Sequence, residues 1–157
     1  MTDVFTKQPR EPRSAEAEAA GLRWLREASD AVAEVVSLDP DANTLQTRLV
    51  REVGPTQEVA RQAGRELALI HRAGAEAFGA PPTGWEGPNY IGTQEQECTP
   101  TDDWGAFYVG QRVLPFARRA HEAGNLDAAG LAVVEEACAA VVGKRWDVAP
   151  ARIHGDL

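Results

Sequence analysis

A basic residue at the end of a short strand candidate is followed by two carboxylates at the start of a helix candidate. Lys7 closes the alternating segment 3–7, and Glu16 and Glu18 open the helical pattern that comes next. A lysine ammonium can neutralise phosphate groups, and a nearby carboxylate can hold that long, flexible side chain in place. The spacing therefore indicates a phosphate-binding pair. The alternative is a solvated lysine beside glutamates that stabilise the positive end of the helix dipole.

The last four residues carry a second chemical signal. His154 and Asp156 are separated by a single glycine and followed by Leu157. A His-x-Asp motif at the start of a loop supplies a carboxylate that can accept the proton of a substrate hydroxyl, while the histidine shapes the loop. A prescribed tetrapeptide arises by chance in a chain of this length at roughly the one-in-a-thousand level. The alternative is a chain end with an ordinary aspartate.

Composition restricts the class of protein. The 157 residues carry 16 Lys+Arg against 24 Asp+Glu, a formal net charge of −8, and 43% are apolar, as in globular proteins. The negative charge argues against nucleic-acid binding, and no apolar run is long enough to cross a bilayer. Two cysteines, Cys98 and Cys138, exclude a disulfide framework or a four-cysteine zinc site. With an N-terminus that lacks the apolar core of a signal peptide, they predict a cytoplasmic protein.

The first third of the chain predicts strands and one helix. Residues 3–7 alternate as a strand. Residues 14–28 have apolar side chains at helical spacing, with Ser14 as the N-cap. Residues 35–38 and 44–53 are strand candidates joined by a turn rich in Asp, Pro and Asn, which predicts a hairpin.

The remaining regular elements are predicted to be helices. Helical patterns cover residues 56–78, 103–121 and 127–142, with Thr56 as the first N-cap and Pro115 as a break or kink in the second helix. Because the strands are segregated from these helices, the predicted fold class is α+β and not an alternating α/β sheet.

Residues 79–103 are rich in Gly, Pro and Thr and predict a long loop. The loop contains no Lys or Arg and five acidic residues: Glu86, Glu95, Glu97, Asp102 and Asp103. Such a segment beside a cleft would favour a cationic substrate, and the alternative is a solvated loop. Trp85 and Trp104 could stack on a sugar or could serve in packing.

Several stretches match, in order, the motifs of one protein family. They are residues 4–7, 18–22, 49–53, 67–71, 78–79 and 89–92, the spaced residues Trp104, Phe107, Tyr108, Arg112 and Pro115, and residues 152–157. In these stretches the chain resembles the fructosamine kinase (ketosamine-3-kinase) family, a branch of the aminoglycoside phosphotransferase and protein-kinase-like superfamily. The stretch from residue 89 to residue 115 is the most specific.

The resemblance implies a protein-kinase-like fold and an ATP-dependent transfer of the γ-phosphate to a sugar hydroxyl of a ketosamine. Residues 1–53 would form a reduced, β-containing nucleotide-binding N-lobe that ends in a hinge. Residues 54–157 would form a partial, mainly helical C-lobe that ends at the catalytic-loop aspartate. The implied cofactors are ATP and Mg²⁺. The implied partner is a small-molecule or protein-bound ketoamine, with no nucleic acid, no membrane and an open oligomeric state.

The resemblance also implies individual roles. Lys7 would hold the α- and β-phosphates of ATP, and Glu18, preferred to Glu16 for its motif spacing, would pair with Lys7. Asp156 would be the catalytic base, and His154 would shape the catalytic loop. The main chain of three hinge residues would line the adenine: Arg51, Glu52 and Val53.

The chain departs from the family pattern at both ends. Only six residues precede Lys7, too few for the family's glycine-rich phosphate loop, and the family's Mg²⁺ ligands are expected beyond Leu157. We therefore expect residues 1–157 to be an inactive, C-terminally truncated fragment. Two alternatives stay open. One is a kinase of another small hydroxyl compound, such as an aminoglycoside, and the other is a non-catalytic remnant or interaction module.

Overall fold

The structure, a computed structural model, describes residues 3–154. Its elements are β1 (Val4–Lys7), α1 (Ser14–Arg26), β2 (Val35–Asp39), β3 (Thr44–Arg48), α2 (Gln57–Arg72), β4 (Asn89–Ile91), β5 (Gln94–Gln96), α3 (Trp104–Phe107), a π-helical segment (Tyr108–Val113), α4 (Leu114–Glu122) and α5 (Ala128–Val142). The predicted α+β class is confirmed. Within residues 3–154, no helix is long and apolar enough to span a membrane.

The described chain divides into two compact units. The first comprises residues 3–75, 82–95 and 151–154, and the second comprises residues 76–81 and 96–150. The candidate residues for phosphate binding all belong to the first unit. The lobe boundary expected after residue 53 stays a prediction, because these units reflect compactness alone.

A three-stranded antiparallel sheet, in the order β1-β3-β2, packs against α1 in the first unit. In β1, Lys7 stands opposite Leu45 of β3. Strands β2 and β3 form the predicted hairpin. Ala15 and Ala19 of α1 are fully buried, and Leu45 is 1% exposed. The small alanines let the helix approach β2 and β3 closely. Lys7 extends from the exposed edge strand β1, which pairs with β3.

The start of α1 differs from the prediction. Ser14 is the first helical residue and not the N-cap. Arg13 precedes it in the left-handed conformation (φ 59°) without a capping side chain. The side chain that satisfies this helix end comes from the β2–β3 turn, where Asn43 Oδ1 accepts a hydrogen bond from Ala15 N at 3.1 Å. A cap supplied from a distant turn ties the hairpin to the helix.

Asn43 is expected to contribute strongly to stability. Its Nδ2 also donates to the main-chain oxygens of Pro9 at 2.9 Å and Glu11 at 2.8 Å, and its φ is 46°. We expect Asn43→Ala to lower the free energy of unfolding by about 2–4 kcal/mol, because it removes the cap and places a Cβ-bearing residue without local hydrogen bonds in the left-handed region. Urea denaturation checks this. Asn43→Gly, which loses the hydrogen bonds without the conformational strain, should cost less, and equal costs would contradict the strain argument.

Two predictions about strands need correction. The strand predicted over residues 44–53 ends at Arg48, and residues 49–53 are irregular. The loop predicted over residues 79–103 contains the two short strands β4 and β5, which pair with each other. Both errors arise because pairing partners, and not local propensity, decide where a strand begins and ends.

Helix α2 begins as predicted and ends early. Thr56 is its N-cap, with the hydroxyl accepting a hydrogen bond from Val59 N at 3.2 Å. The helix ends at Arg72 and not at residue 78. Gly74 adopts the left-handed conformation (φ 68°) typical of residues just past a helix C-terminus.

The helix predicted over residues 103–121 consists of α3, the π-helical segment and α4. Pro115 lies in the first turn of α4, just after the π-helical segment ends, so the helical pattern changes there without a gap in the helix. Proline has no N–H to donate to the oxygen of Gln111, four residues earlier. The side chain of Arg112 donates to that oxygen instead, with Nη1 at 3.1 Å.

Helix α5 agrees closely with the helix predicted over residues 127–142. Asp127 is its N-cap and accepts a hydrogen bond from Gly130 N at 2.7 Å. The apolar face has one buried member, Cys138, and three partly buried members: Leu131, Val134 and Val141.

Candidate phosphate-binding site

Lys7 and Glu18 form an ion pair between β1 and α1. The Lys7 Nζ lies 2.5 Å from Glu18 Oε2, and the two side chains are 48% and 34% exposed. The sheet positions Lys7 at the end of β1, and the close packing of α1 on the sheet brings Glu18 within reach. The ammonium is therefore oriented by a carboxylate while part of its surface stays accessible to an anionic ligand.

Glu16, the other candidate carboxylate on α1, pairs with Arg13. Glu16 makes two hydrogen bonds with the guanidinium of Arg13, from Nε to Oε2 at 3.0 Å and from Nη2 to Oε1 at 3.2 Å. Hydrogen bonding to Glu16 raises the pKa of Arg13 above its ordinary value. Of the two candidate carboxylates, Glu18 is the one that contacts Lys7. The role of this pair toward a nucleotide stays a prediction.

The proposed hinge residues lie in the irregular segment between β3 and α2. Arg51 makes an exposed ion pair with Asp3, from Nη2 to Oδ2 at 2.6 Å. Glu52 is exposed, and Val53 is 76% exposed. The Arg51–Asp3 pair holds the start of this segment near β1, the strand that carries Lys7. The contact of its main chain with adenine stays a prediction.

The His-Gly-Asp motif is described only in part. His154 is exposed and lies in an irregular segment at the end of the described chain. Asp156, the predicted catalytic base, lies outside the described residues. The segment that leads to the motif is held by Arg152, whose contacts sequence reasoning did not anticipate because the partners lie 78 to 128 residues away.

Both tryptophans considered for sugar stacking are engaged in packing. The guanidinium of Arg13 lies 4.7 Å from the centre of the Trp85 ring, and Trp85 Nε1 donates to the oxygen of Pro88 at 3.3 Å. Trp104 stacks on Tyr108 with ring centres 5.0 Å apart and contacts Trp146 at 4.6 Å. Each tryptophan therefore has a structural role within its own unit.

Some acidic residues of segment 79–103 are also used locally. The Asp103 carboxylate caps α3 by accepting from Ala106 N at 2.9 Å. The Glu97 carboxylate accepts from the Thr99 hydroxyl at 2.7 Å. These two carboxylates stabilise turns, so their charge is partly used within the segment.

The charge and the exposure of Lys7 suit a phosphate group. Among residues 3–154, there is no group of three or more His, Cys, Asp or Glu that could hold a metal. The Lys7 ammonium, held by Glu18, has the charge and the exposure to contact the phosphates of ATP.

A lysine held by a helix glutamate beside an antiparallel sheet is the arrangement found in proteins of the protein-kinase-like class. A family model extends this assignment to one family. The model described as Fructosamine kinase matches residues 2–157, and the chain belongs to that family.

A solved structure supports the same assignment. The chain is similar to the 1.85 Å crystal structure of a "putative fructosamine-3-kinase" from Thermobifida fusca YX-ER1, with a TM-score of 0.87 and 38% sequence identity. The match covers 99% of this chain and 54% of that chain, so this chain spans about half the length of the solved structure. The predicted family and the protein-kinase-like fold are confirmed. No curated protein matches significantly.

Proposed function

We propose that the protein is an ATP-dependent kinase that transfers a phosphate to a sugar hydroxyl of a ketosamine. The observation that carries this proposal is the Lys7–Glu18 ion pair, found in a chain of the fructosamine kinase family. An ammonium fixed at the end of a strand by a helix carboxylate is one of the parts that phosphoryl transfer in kinases uses, because catalysis depends on positioning and charge stabilisation.

In this proposal, ATP supplies the transferable phosphoryl group, and each residue has one task. Lys7 neutralises charge on the α- and β-phosphates, and Glu18 keeps the Lys7 ammonium in place. The main chain of the hinge lines the adenine, through Arg51, Glu52 and Val53. Asp156 accepts the proton of the attacking hydroxyl, and His154 shapes the loop that carries Asp156. The Mg²⁺ ligands implied by the family resemblance are expected beyond Leu157.

The substrate class is supported by charge. A ketosamine carries a secondary amine that is largely cationic at neutral pH, and the chain has a formal net charge of −8. Segment 79–103 is acidic and contains no Lys or Arg, and residues such as Glu86 could attract such an amine. A cytoplasmic location is part of the proposal and agrees with the two free thiols, Cys98 and Cys138.

A substrate panel tests the proposal. The protein expressed from its whole reading frame is incubated with MgATP and either fructoselysine, an aminoglycoside, choline or no acceptor, and ADP release and phosphorylated product are measured. We expect turnover with fructoselysine. Preference for the aminoglycoside or choline would show that the substrate belongs to another class of hydroxyl compound. If none of the three acceptors is phosphorylated, the non-catalytic alternative is supported.

The same assay applies to the 157-residue polypeptide by itself. We expect no phosphorylated fructoselysine from it, because kinase-like enzymes need Asn and Asp metal ligands that the resemblance places after the His-Gly-Asp motif. Phosphorylation by this polypeptide at a rate comparable to that of the whole reading frame would contradict the expectation.

A further inference from the structure

Arg152 lies two residues before His154 and makes contacts with the ends of two helices. Its side chain is 16% exposed. Nη1 donates to the main-chain oxygen of Trp24 at 2.6 Å and to Glu27 Oε2 at 2.8 Å, both at the end of α1. Nε donates to the main-chain oxygen of Gly74, in the turn after α2, at 3.0 Å. One guanidinium thus connects the segment 151–154 to α1 and to the end of α2.

The electrostatics of this position suit a guanidinium. The carbonyls in the last turn of a helix carry partial negative charge, and a cation placed there is stabilised. Glu27 adds a full negative charge, and the Trp24 ring lies 4.6 Å from the Arg152 Cζ, within range of a cation–π interaction. A lysine would keep the charge but not the planar arrangement of donors that reaches several acceptors at once.

Helix α1 also carries Glu18, the residue that holds Lys7. Glu18 precedes Trp24 by six residues, or about 9 Å of helix at the usual rise per residue. The chain that leaves Arg152 reaches Asp156 four residues later. The same helix is therefore in contact with the phosphate-binding lysine and with the anchor of the segment that leads to the catalytic aspartate.

We propose that Arg152 is a positioning residue: it fixes segment 151–154, which leads into the His-Gly-Asp motif, to α1, the helix that carries Glu18. The inference rests on the proposed kinase function. Arg152 touches neither substrate nor nucleotide in this proposal. Its effect should fall on the rate of phosphoryl transfer, because a small misplacement of the catalytic base costs rate while the nucleotide contacts stay in place.

A purely structural role would have a different signature, and the chain offers a matched control. The hydroxyl of Ser29 donates to Glu66 Oε2 at 2.7 Å, which links the turn after α1 to α2 without involving segment 151–154. Ser29 is 6% exposed, so its loss also disturbs a buried contact. If Arg152 acted only by joining α1 to α2, then Ser29→Ala and Arg152→Gln should have the same kinetic effect at equal loss of stability.

The experiment measures kcat, KM for ATP and the melting temperature of Arg152→Gln, Arg152→Lys and Ser29→Ala in the enzyme expressed from its whole reading frame. We expect Arg152→Gln to lower kcat by about 10- to 100-fold, with KM for ATP changed by less than about threefold. Arg152→Lys should fall between Arg152→Gln and the parent. Ser29→Ala should lower the melting temperature and leave kcat within about twofold of the parent.

Each outcome decides the proposal. Equal losses of kcat in Ser29→Ala and Arg152→Gln, or a loss confined to KM for ATP, would overturn it. If Arg152→Gln does not fold, Arg152→Lys gives the same test, and full kcat in that variant would contradict the need for the guanidinium. Lys7→Met and Asp156→Asn serve as references, because full activity in both would contradict the proposed function itself, independently of Arg152.

Discussion

Asp156→Asn is expected to lower kcat with a ketosamine substrate by about 10²–10⁴-fold, the contribution typical of a general acid or base. The substitution keeps the size and shape of the side chain but removes the carboxylate that accepts the hydroxyl proton. The nucleotide contacts assigned to Lys7 are untouched, so the dissociation constant for MgATP should change by less than about threefold. Steady-state kinetics and calorimetric titration with MgATP measure the two quantities in the enzyme expressed from its whole reading frame.

A matched control is Asp41→Asn, the same change of charge at an exposed position in the β2–β3 turn. It should leave kcat and MgATP binding unchanged. Undiminished turnover of Asp156→Asn would remove Asp156 from the catalytic role. An equal loss in both variants would show that net charge, and not the position of one carboxylate, governs the rate.

The parts of the fold that local sequence could predict are those with local causes. Thr56 caps α2 with its own side chain, three residues from the amide that it satisfies, and the start predicted for α5 lies at its N-cap, Asp127. Pro115 has no N–H to donate to the preceding turn, so it marks the place where the helical pattern changes. These signals lie within a few residues of their effects, so spacing alone was sufficient to predict them.

The predictions that failed depend on distant partners. Ser14 has the right chemistry for an N-cap, but Asn43, 28 residues from Ala15, supplies the oxygen that satisfies the helix end. The strand predicted over residues 44–53 has suitable side chains throughout, yet the regular strand ends at Arg48. No local pattern contains this information, because it is created when the hairpin meets the helix.

The candidate site also combines residues that the sequence could identify with contacts that it could not. Motif spacing singled out Lys7 and Glu18, and the structure places their charged atoms 2.5 Å apart. The contacts of Arg152 could not be predicted, because its acceptors on Trp24 and Gly74 are carbonyl oxygens, which every residue possesses. Side-chain type identifies candidates for chemistry, whereas the residues that position them often act through the main chain.

Lys7→Met is expected to lower kcat/KM for ATP by about 10²–10³-fold, the loss found when one charge-stabilising donor is removed from an active site. Stability should be nearly unaffected, because the ion pair is half exposed and such pairs contribute about 0–1 kcal/mol. Steady-state kinetics at varied ATP and a thermal melt of the same variant measure both effects.

The control for Lys7→Met lies on the neighbouring strand. Arg48 of β3 pairs with Glu34 at 2.6 Å, and both side chains are exposed to a similar degree as those of Lys7 and Glu18. Arg48→Met therefore removes an equal charge and a similar ion pair from the same sheet. It should leave kcat/KM within about twofold of the parent. Equal losses in the two variants would contradict a specific phosphate contact.

Substitutions of the two glutamates of α1 complete the test. Each removes one negative charge from the helix, but only the change at Glu18 removes the partner that orients Lys7. Glu18→Gln removes the partner that holds the ammonium, and it should lower kcat/KM by about tenfold, since Lys7 remains present but is less well placed. Glu16→Gln removes the same charge one half-turn away, where the partner is Arg13. It should have little effect on the rate. A larger loss from Glu16→Gln than from Glu18→Gln would show that the pairing with Lys7 is not what the reaction uses. The loss of kcat/KM should therefore decrease in the order Lys7→Met, Glu18→Gln, Glu16→Gln. This order is expected if Glu18 acts by orienting the Lys7 ammonium.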